Sequence, residues 1–110
     1  DCVSPTRLAR HGHAYTKNGK INLKNSKYKE DFTPVEEGCK CYACQNYTKA
    51  YIKHLINADE SFGARLLSIH NIYFLENLMK KIRENIKAGT LEEYRDKFIL
   101  SYYGEGYEYK

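Results

Sequence analysis

Cys39-Lys40-Cys41-Tyr42-Ala43-Cys44, separated by twenty-five residues from His70, is the stretch on which the reading of this chain turns. Three thiols and an imidazole form a donor set that satisfies tetrahedral Zn²⁺, with thiolates near ~2.3 Å and an imidazole nitrogen near ~2.0 Å. The tight cysteine spacing lets one loop supply three ligands. The long spacer lets a separate element close the site with the fourth. Four protein ligands leave no open position, so such a metal is structural rather than catalytic. Two other readings stand beside this one. The cysteines could form part of a disulfide framework, although Cys39 and Cys41 are too close to pair comfortably and the chain is otherwise poor in cysteine. They could also be ordinary buried thiols.

The rest of the composition bounds the answer without deciding it. The 110 residues suffice for one small domain, and 42% are hydrophobic. No apolar run approaches the ~18–20 residues of a membrane-spanning helix. Eighteen basic residues against fourteen acidic ones give a net charge of +4, which permits a nucleic-acid partner but does not demand one. Thiols in a zinc-like arrangement point to a reducing cytoplasm. Eleven tyrosines can stack on bases, line an interface or edge a core. The chain opens on Asp1-Cys2-Val3 with no initiator methionine, so a fragment of a longer polypeptide is expected.

Patterning places the elements around the knuckle. Residues 1–12 read as irregular. His13 to Leu23 reads as a β-hairpin, turning at Asn18-Gly19, the pair that a type I′ turn prefers. Residues 24–38 read as a polar connection. Helices are expected over 46–57, over 59–67 and from Ser68 to Ala88, the last ending at Gly89 as a C′ residue. That long helix repeats Ile69, Ile72, Leu75, Leu78, Met79, Ile82 and Ile86 at helical spacing. His70 would then lie in its first turn. Thr90 and Glu93 form a capping-box pattern for a final helix to about Tyr102, before a mobile tail.

Four stretches together resemble the C-terminal part of a bacterial-type tRNA-guanine transglycosylase. They are Asp1-Cys2-Val3-x-Pro5-Thr6-Arg7, Gly19-Lys20-Ile21-Asn22-Leu23-Lys24-Asn25, the cysteine knuckle, and Gly63-Ala64-Arg65-Leu66-Leu67-x-Ile69-His70-Asn71. The resemblance covers nearly the whole chain. It implies an α/β fold: a TIM-like (β/α)8 barrel whose last strand and last helix flank an inserted zinc-binding subdomain with a small antiparallel sheet and helices. Residues 1–12 would end the last strand and form an active-site loop. Residues 13–70 would be the zinc subdomain, and 71–110 the closing helix, a further helix and the tail. A barrel needs about 250 residues, so the chain alone would be an α+β fragment, inactive by itself.

The family exchanges guanine at the wobble position of tRNA for a 7-deazaguanine base, preQ1 in bacteria, during queuosine biosynthesis. By resemblance, Asp1 is the nucleophile that forms a covalent aspartyl-RNA intermediate. Arg7 and Arg10 match arginines that grip the anticodon loop. Cys39, Cys41, Cys44 and His70 match the zinc ligands, with one zinc per chain and no other cofactor. Tyr47, Tyr51 and His54 match an aromatic cluster in a homodimer contact, although packing inside the subdomain would give the same stripe. His11 and His13 match no family role and read as surface histidines. Two other functions remain in view: a stand-alone zinc module that binds RNA through Arg7 and Arg10, and a zinc-stapled dimerisation unit.

Overall fold

The computed structural model describes residues 5–104. Asp1 and residues 105–110 of the tail, both subjects of expectations above, lie outside them. Among the described residues the chain is α+β: a two-stranded antiparallel sheet and five α-helices, with a 3-10 turn at Ser26–Tyr28. Helix α1 spans Pro5–Arg10, β1 His13–Thr16, β2 Gly19–Asn22, α2 Tyr42–Asn46, α3 Lys49–Asn57, α4 Ser61–Ala88 and α5 Leu91–Tyr103.

The spine is α4. Its 28 residues, at ~1.5 Å of rise each, account for most of the 46 Å long axis. All four other helices and β1 pack on it. Two helices were expected in its place, over 59–67 and from Ser68. No proline interrupts Ser61–Ala88, and its one glycine, Gly63, lies in the first turn, so nothing stops propagation between them. His70 consequently sits near the middle of the third turn, not in the first. Gly63 has a packing reason: a Cβ there would lie 2.9 Å from Leu55 Cβ and 3.2 Å from the Ile56 nitrogen. Only a hydrogen at that position lets α3 and α4 close on each other. The end at Gly89, with φ +73°, is as expected.

Four further expectations are corrected. The stretch 1–12 is not wholly irregular, since Pro5 starts α1 at the position where its missing N–H costs nothing. The hairpin pairs Thr16 with Gly19, so its loop is Lys17-Asn18, one residue earlier than read. Neither loop residue has positive φ, and Gly19 carries the unusual angle at +113°. The helix expected over 46–57 breaks at Tyr47-Thr48, where the Thr48 hydroxyl caps α3 by accepting from Tyr51 N–H. Thr90 stands at the N-cap of α5, but its hydroxyl donates to Asn85 Oδ1 at 2.7 Å instead of capping.

The core gathers at one end of α4. Leu23, Val35, Ile52, Leu66 and Leu67 are sealed from solvent, as are His70 and Asn71. Gly63, Leu66, Leu67, His70 and Asn71 recur at i, i+3, i+4, i+7 and i+8, the core-facing stripe of an amphipathic helix. The more conspicuous apolar repeat lies on another face. Ile72, Met79 and Ile86, seven residues apart, are 41%, 51% and 58% exposed.

Candidate metal centre

The hairpin, the knuckle and α4 meet at His70. The knuckle turns on itself through N–H···S contacts. Cys41 N–H points to Cys39 Sγ at 3.5 Å, and Cys44 N–H to Cys41 Sγ at 3.3 Å. The second contact makes the Cys41 sulfur the N-cap of α2, a position that favours negative charge. Above the knuckle, His70 Nδ1 lies 3.5 Å from Cys39 Sγ, 3.6 Å from Cys41 Sγ and 3.4 Å from Cys44 Sγ. All four donor atoms fall within 4.8 Å of one another. A zinc tetrahedron with the usual bond lengths has S···N edges of about 3.5 Å, so the four atoms stand at the corners the ion requires. The three thiols are free of disulfides, which removes the framework reading for them.

The electrostatics match a cation-shaped hole. The hydrogen bond from Cys44 draws the Cys41 thiol down to about 4, against burial, and His70 pulls the same way. Burial pushes Cys39 up to about 11. Cys44 is also pushed up, by its hydrogen bond to Cys41 and then by burial. Three sulfurs this close cannot all be anionic without a metal. Burial opposes charge on His70, but the Cys41 sulfur and the Tyr15 carbonyl outweigh it and raise its pKa. Cys39, Cys41, Cys44 and His70 thus form a buried, closed site that fits one structural zinc, and they would hold it as a staple between a loop and a helix.

The surroundings orient the ligands. His70 Nε2 donates to the Tyr15 carbonyl at 2.6 Å, the partner that metal-bound histidines commonly have on the far side of the ring. Glu36 accepts from Lys17 N–H at 2.6 Å and ties the hairpin turn to the knuckle. Its own carbonyl accepts from Cys39 N–H at 3.2 Å. Asn71, beside the ligand, is fully buried and hydrogen-bonded to β1 and α1. The sequence reading passed over Tyr15, Glu36 and Asn71 as site residues. The available signal for Asn71 was a polar side chain inside the i, i+3, i+4, i+7, i+8 core pattern.

The other expected site residues are spread around this centre. Arg7 and Arg10 lie one turn apart on α1, both exposed. His11 is exposed and His13 half-buried. Tyr47 does not share a helix with Tyr51 and His54: it is the extended residue that ends α2. Its ring still stacks on Tyr51 at 5.3 Å and meets Phe62 edge-on at 5.6 Å. Tyr47 is half-buried against the core, while Tyr51 and His54 are exposed. Among the described residues, no helix is long and apolar enough to cross a membrane.

Comparison with known proteins agrees with this arrangement. The family described as queuine tRNA-ribosyltransferase matches residues 1–104. The queuine tRNA-ribosyltransferase of Streptococcus uberis is 56% identical over 102 residues, covering 93% of this chain and 27% of the relative. That of Streptococcus mutans is 57% identical with the same coverage. That of Dictyoglomus turgidum is 56% identical over 93% of this chain and 26% of its own length. The chain spans about a quarter of the length of these curated relatives. With a family match over nearly its whole length, the chain belongs to the queuine tRNA-ribosyltransferase family.

Proposed function

We propose that this chain is the C-terminal quarter of a tRNA-guanine transglycosylase that exchanges guanine at the wobble position for preQ1. The family match over residues 1–104 carries the reading. A structural feature supports it. The exposed stripe of Ile72, Met79 and Ile86 is the kind of face that the outer helix of a TIM-like barrel buries against its strands. On this reading α4 closes the barrel, and the zinc unit is its last insertion. The thiol-rich metal centre fits a reducing cytoplasm.

In the proposed chemistry the Asp1 carboxylate attacks C1′ of the wobble ribose. The C1′–N9 bond breaks, and guanine leaves with a proton supplied from outside this chain. The incoming base, its N9 proton taken up by a group outside this chain, then attacks C1′, and the bond from C1′ to the Asp1 carboxylate breaks. Two inversions give net retention, the logic of retaining glycosidases. Arg7 and Arg10 hold the anticodon loop beside the reacting nucleotide, because guanidinium groups fork onto phosphate and carbonyl oxygens and stack on bases. Tyr47, Tyr51 and His54 form a homodimer contact. Zinc supplies no reacting group; it fixes the loop and helix that carry these surfaces.

The test uses the full-length protein with labelled guanine and a tRNA of U-G-U anticodon context. Wild type exchanges the base and yields a covalent RNA adduct. Asp1→Asn binds tRNA but traps no adduct. An adduct that persists in Asp1→Asn, or base exchange by the isolated 110 residues, overturns the assignment.

A further inference from the structure

The hairpin has one edge that its own strands do not satisfy. Leu23 N–H donates to the Gly12 carbonyl at 2.8 Å, and the register pairs Ala14 with Ile21 and Thr16 with Gly19. Hydrogen-bonded pairs alternate in an antiparallel ladder. Positions 12, 14 and 16 therefore bond across to β2, and His13 and Tyr15 turn their backbone groups outward. Unpaired backbone groups inside a protein are costly. Two consecutive side chains of α4 take the place of a third strand. His70 Nε2 donates to the Tyr15 carbonyl at 2.6 Å. Asn71 Oδ1 accepts from Tyr15 N–H at 3.0 Å, and Asn71 Nδ2 donates to the His13 carbonyl at 3.2 Å.

The second Nδ2 hydrogen reaches further, to the Pro5 carbonyl in the first turn of α1, at 3.1 Å. A single side chain sealed from solvent thus joins three elements: α4 next to the metal ligand, β1 and α1. It uses both amide donors and its carbonyl acceptor in doing so. Aspartate offers no donor here at neutral pH, and leucine offers neither group.

We propose that Asn71 is a positioning residue that latches α1, and with it Arg7 and Arg10, to the metal-bearing stretch of α4, and so sets the grip of those arginines on tRNA. The clause about tRNA rests on the transglycosylase reading above; the latch itself does not. A glutamine would not serve, since its extra methylene would move both donors off the carbonyls of residues 5 and 13. A zinc held by the knuckle would act through the same few residues: it would fix His70, which bonds the Tyr15 carbonyl, while Asn71 bonds the Tyr15 N–H and holds α1.

The experiment compares the full-length zinc-loaded protein with Asn71→Asp, which keeps the acceptor for Tyr15 N–H, and Asn71→Ala, which leaves room for water. Three quantities are read: zinc content, amide hydrogen exchange over residues 5–12, and KM and kcat for tRNA. In both variants zinc should stay at one per chain, exchange over 5–12 should accelerate, and KM for tRNA should rise by about tenfold with a smaller change in kcat. Wild-type protection over 5–12 would overturn the latch. Loss of zinc, or failure of both variants to fold, would overturn it too, because Asn71 would then be supporting the metal centre as a whole. Faster exchange with unchanged KM would overturn the link to the arginines. A wild-type protein that neither binds nor modifies tRNA would sink the transglycosylase reading alone, since the exchange data still decide the latch.

Discussion

His70 donates from Nε2 to the carbonyl of Tyr15 at 2.6 Å, and this bond selects the ring nitrogen that faces the sulfurs. A carbonyl can only accept, so the proton sits on Nε2 and the Nδ1 lone pair points at Cys39, Cys41 and Cys44. The metal centre therefore depends on a backbone atom of the hairpin as well as on its four ligands.

Zinc removal is expected to unfold the end of α4 that holds the core. Structural zinc can contribute on the order of 10 kcal/mol to a small unit, and the buried cluster here is small. Elemental analysis of protein purified without added metal should give about one zinc per chain. Cys41→Ser and His70→Ala should each lose it, together with the cooperative thermal transition. A metal-free wild type with a Cys39–Cys44 disulfide would contradict the assignment.

Zinc affinity should rise steeply with pH. Without metal near neutral pH, Cys41, drawn down to about 4, is already a thiolate, whereas Cys39, pushed up to about 11, and Cys44, also raised, keep their protons. Binding must displace those protons, and below the raised pKa of His70 its proton as well. Two released protons correspond to about a hundredfold gain in apparent affinity per pH unit. Stability supplied by the metal is thus present at neutral and higher pH and lost as pH falls. Competition titrations with a chelator over a range of pH measure the slope; a flat profile would contradict the thiol protonation pattern.

Arg7→Ala and Arg10→Ala in the full-length protein should each weaken tRNA binding by about 1–3 kcal/mol and lower the salt dependence of affinity. Both side chains are exposed on α1, so thermal stability should change little. Unchanged affinity in both variants would overturn their role in binding tRNA.

The three aromatic-cluster residues should separate into two kinds. His54→Ala, at an exposed position, should raise the monomer fraction in sedimentation and leave stability within about 0.5 kcal/mol. Tyr51→Ala and Tyr47→Ala should raise the monomer fraction and also lower stability, because the two rings stack on each other and Tyr47 further meets Phe62 edge-on; the lost contacts are worth about 0.5–1.5 kcal/mol each. Monomer fractions unchanged in all three would confine the cluster to packing within the subdomain.

Much of this protein was legible in the chain itself. The four metal ligands follow from residue type and spacing, because a tetrahedral ion accepts few donor sets. The hairpin and the end of α4 at Gly89 follow from local turn and cap chemistry, which acts over a few residues and needs no partner. Local rules failed where two valid signals competed. The hairpin loop moved to Lys17-Asn18 because Gly19 could take its positive φ as the first residue of β2. Thr90 makes no cap bond because its hydroxyl is turned toward Asn85 Oδ1 on the preceding helix, away from the first N–H groups of α5.

Tertiary structure alone decided which stripe of α4 is the core. Ile72, Met79 and Ile86 are the more apolar repeat, yet they face outward, while His70 and Asn71 are sealed inside. Hydrophobic periodicity reports that a face is apolar, not what covers it. The burial of an imidazole and an amide depends on acceptors and donors 55 to 66 residues away: the Tyr15, His13 and Pro5 backbone. Polar groups enter a core only when such partners are brought to them. That is a property of the packed chain, and no local reading of residues 70 and 71 contains it.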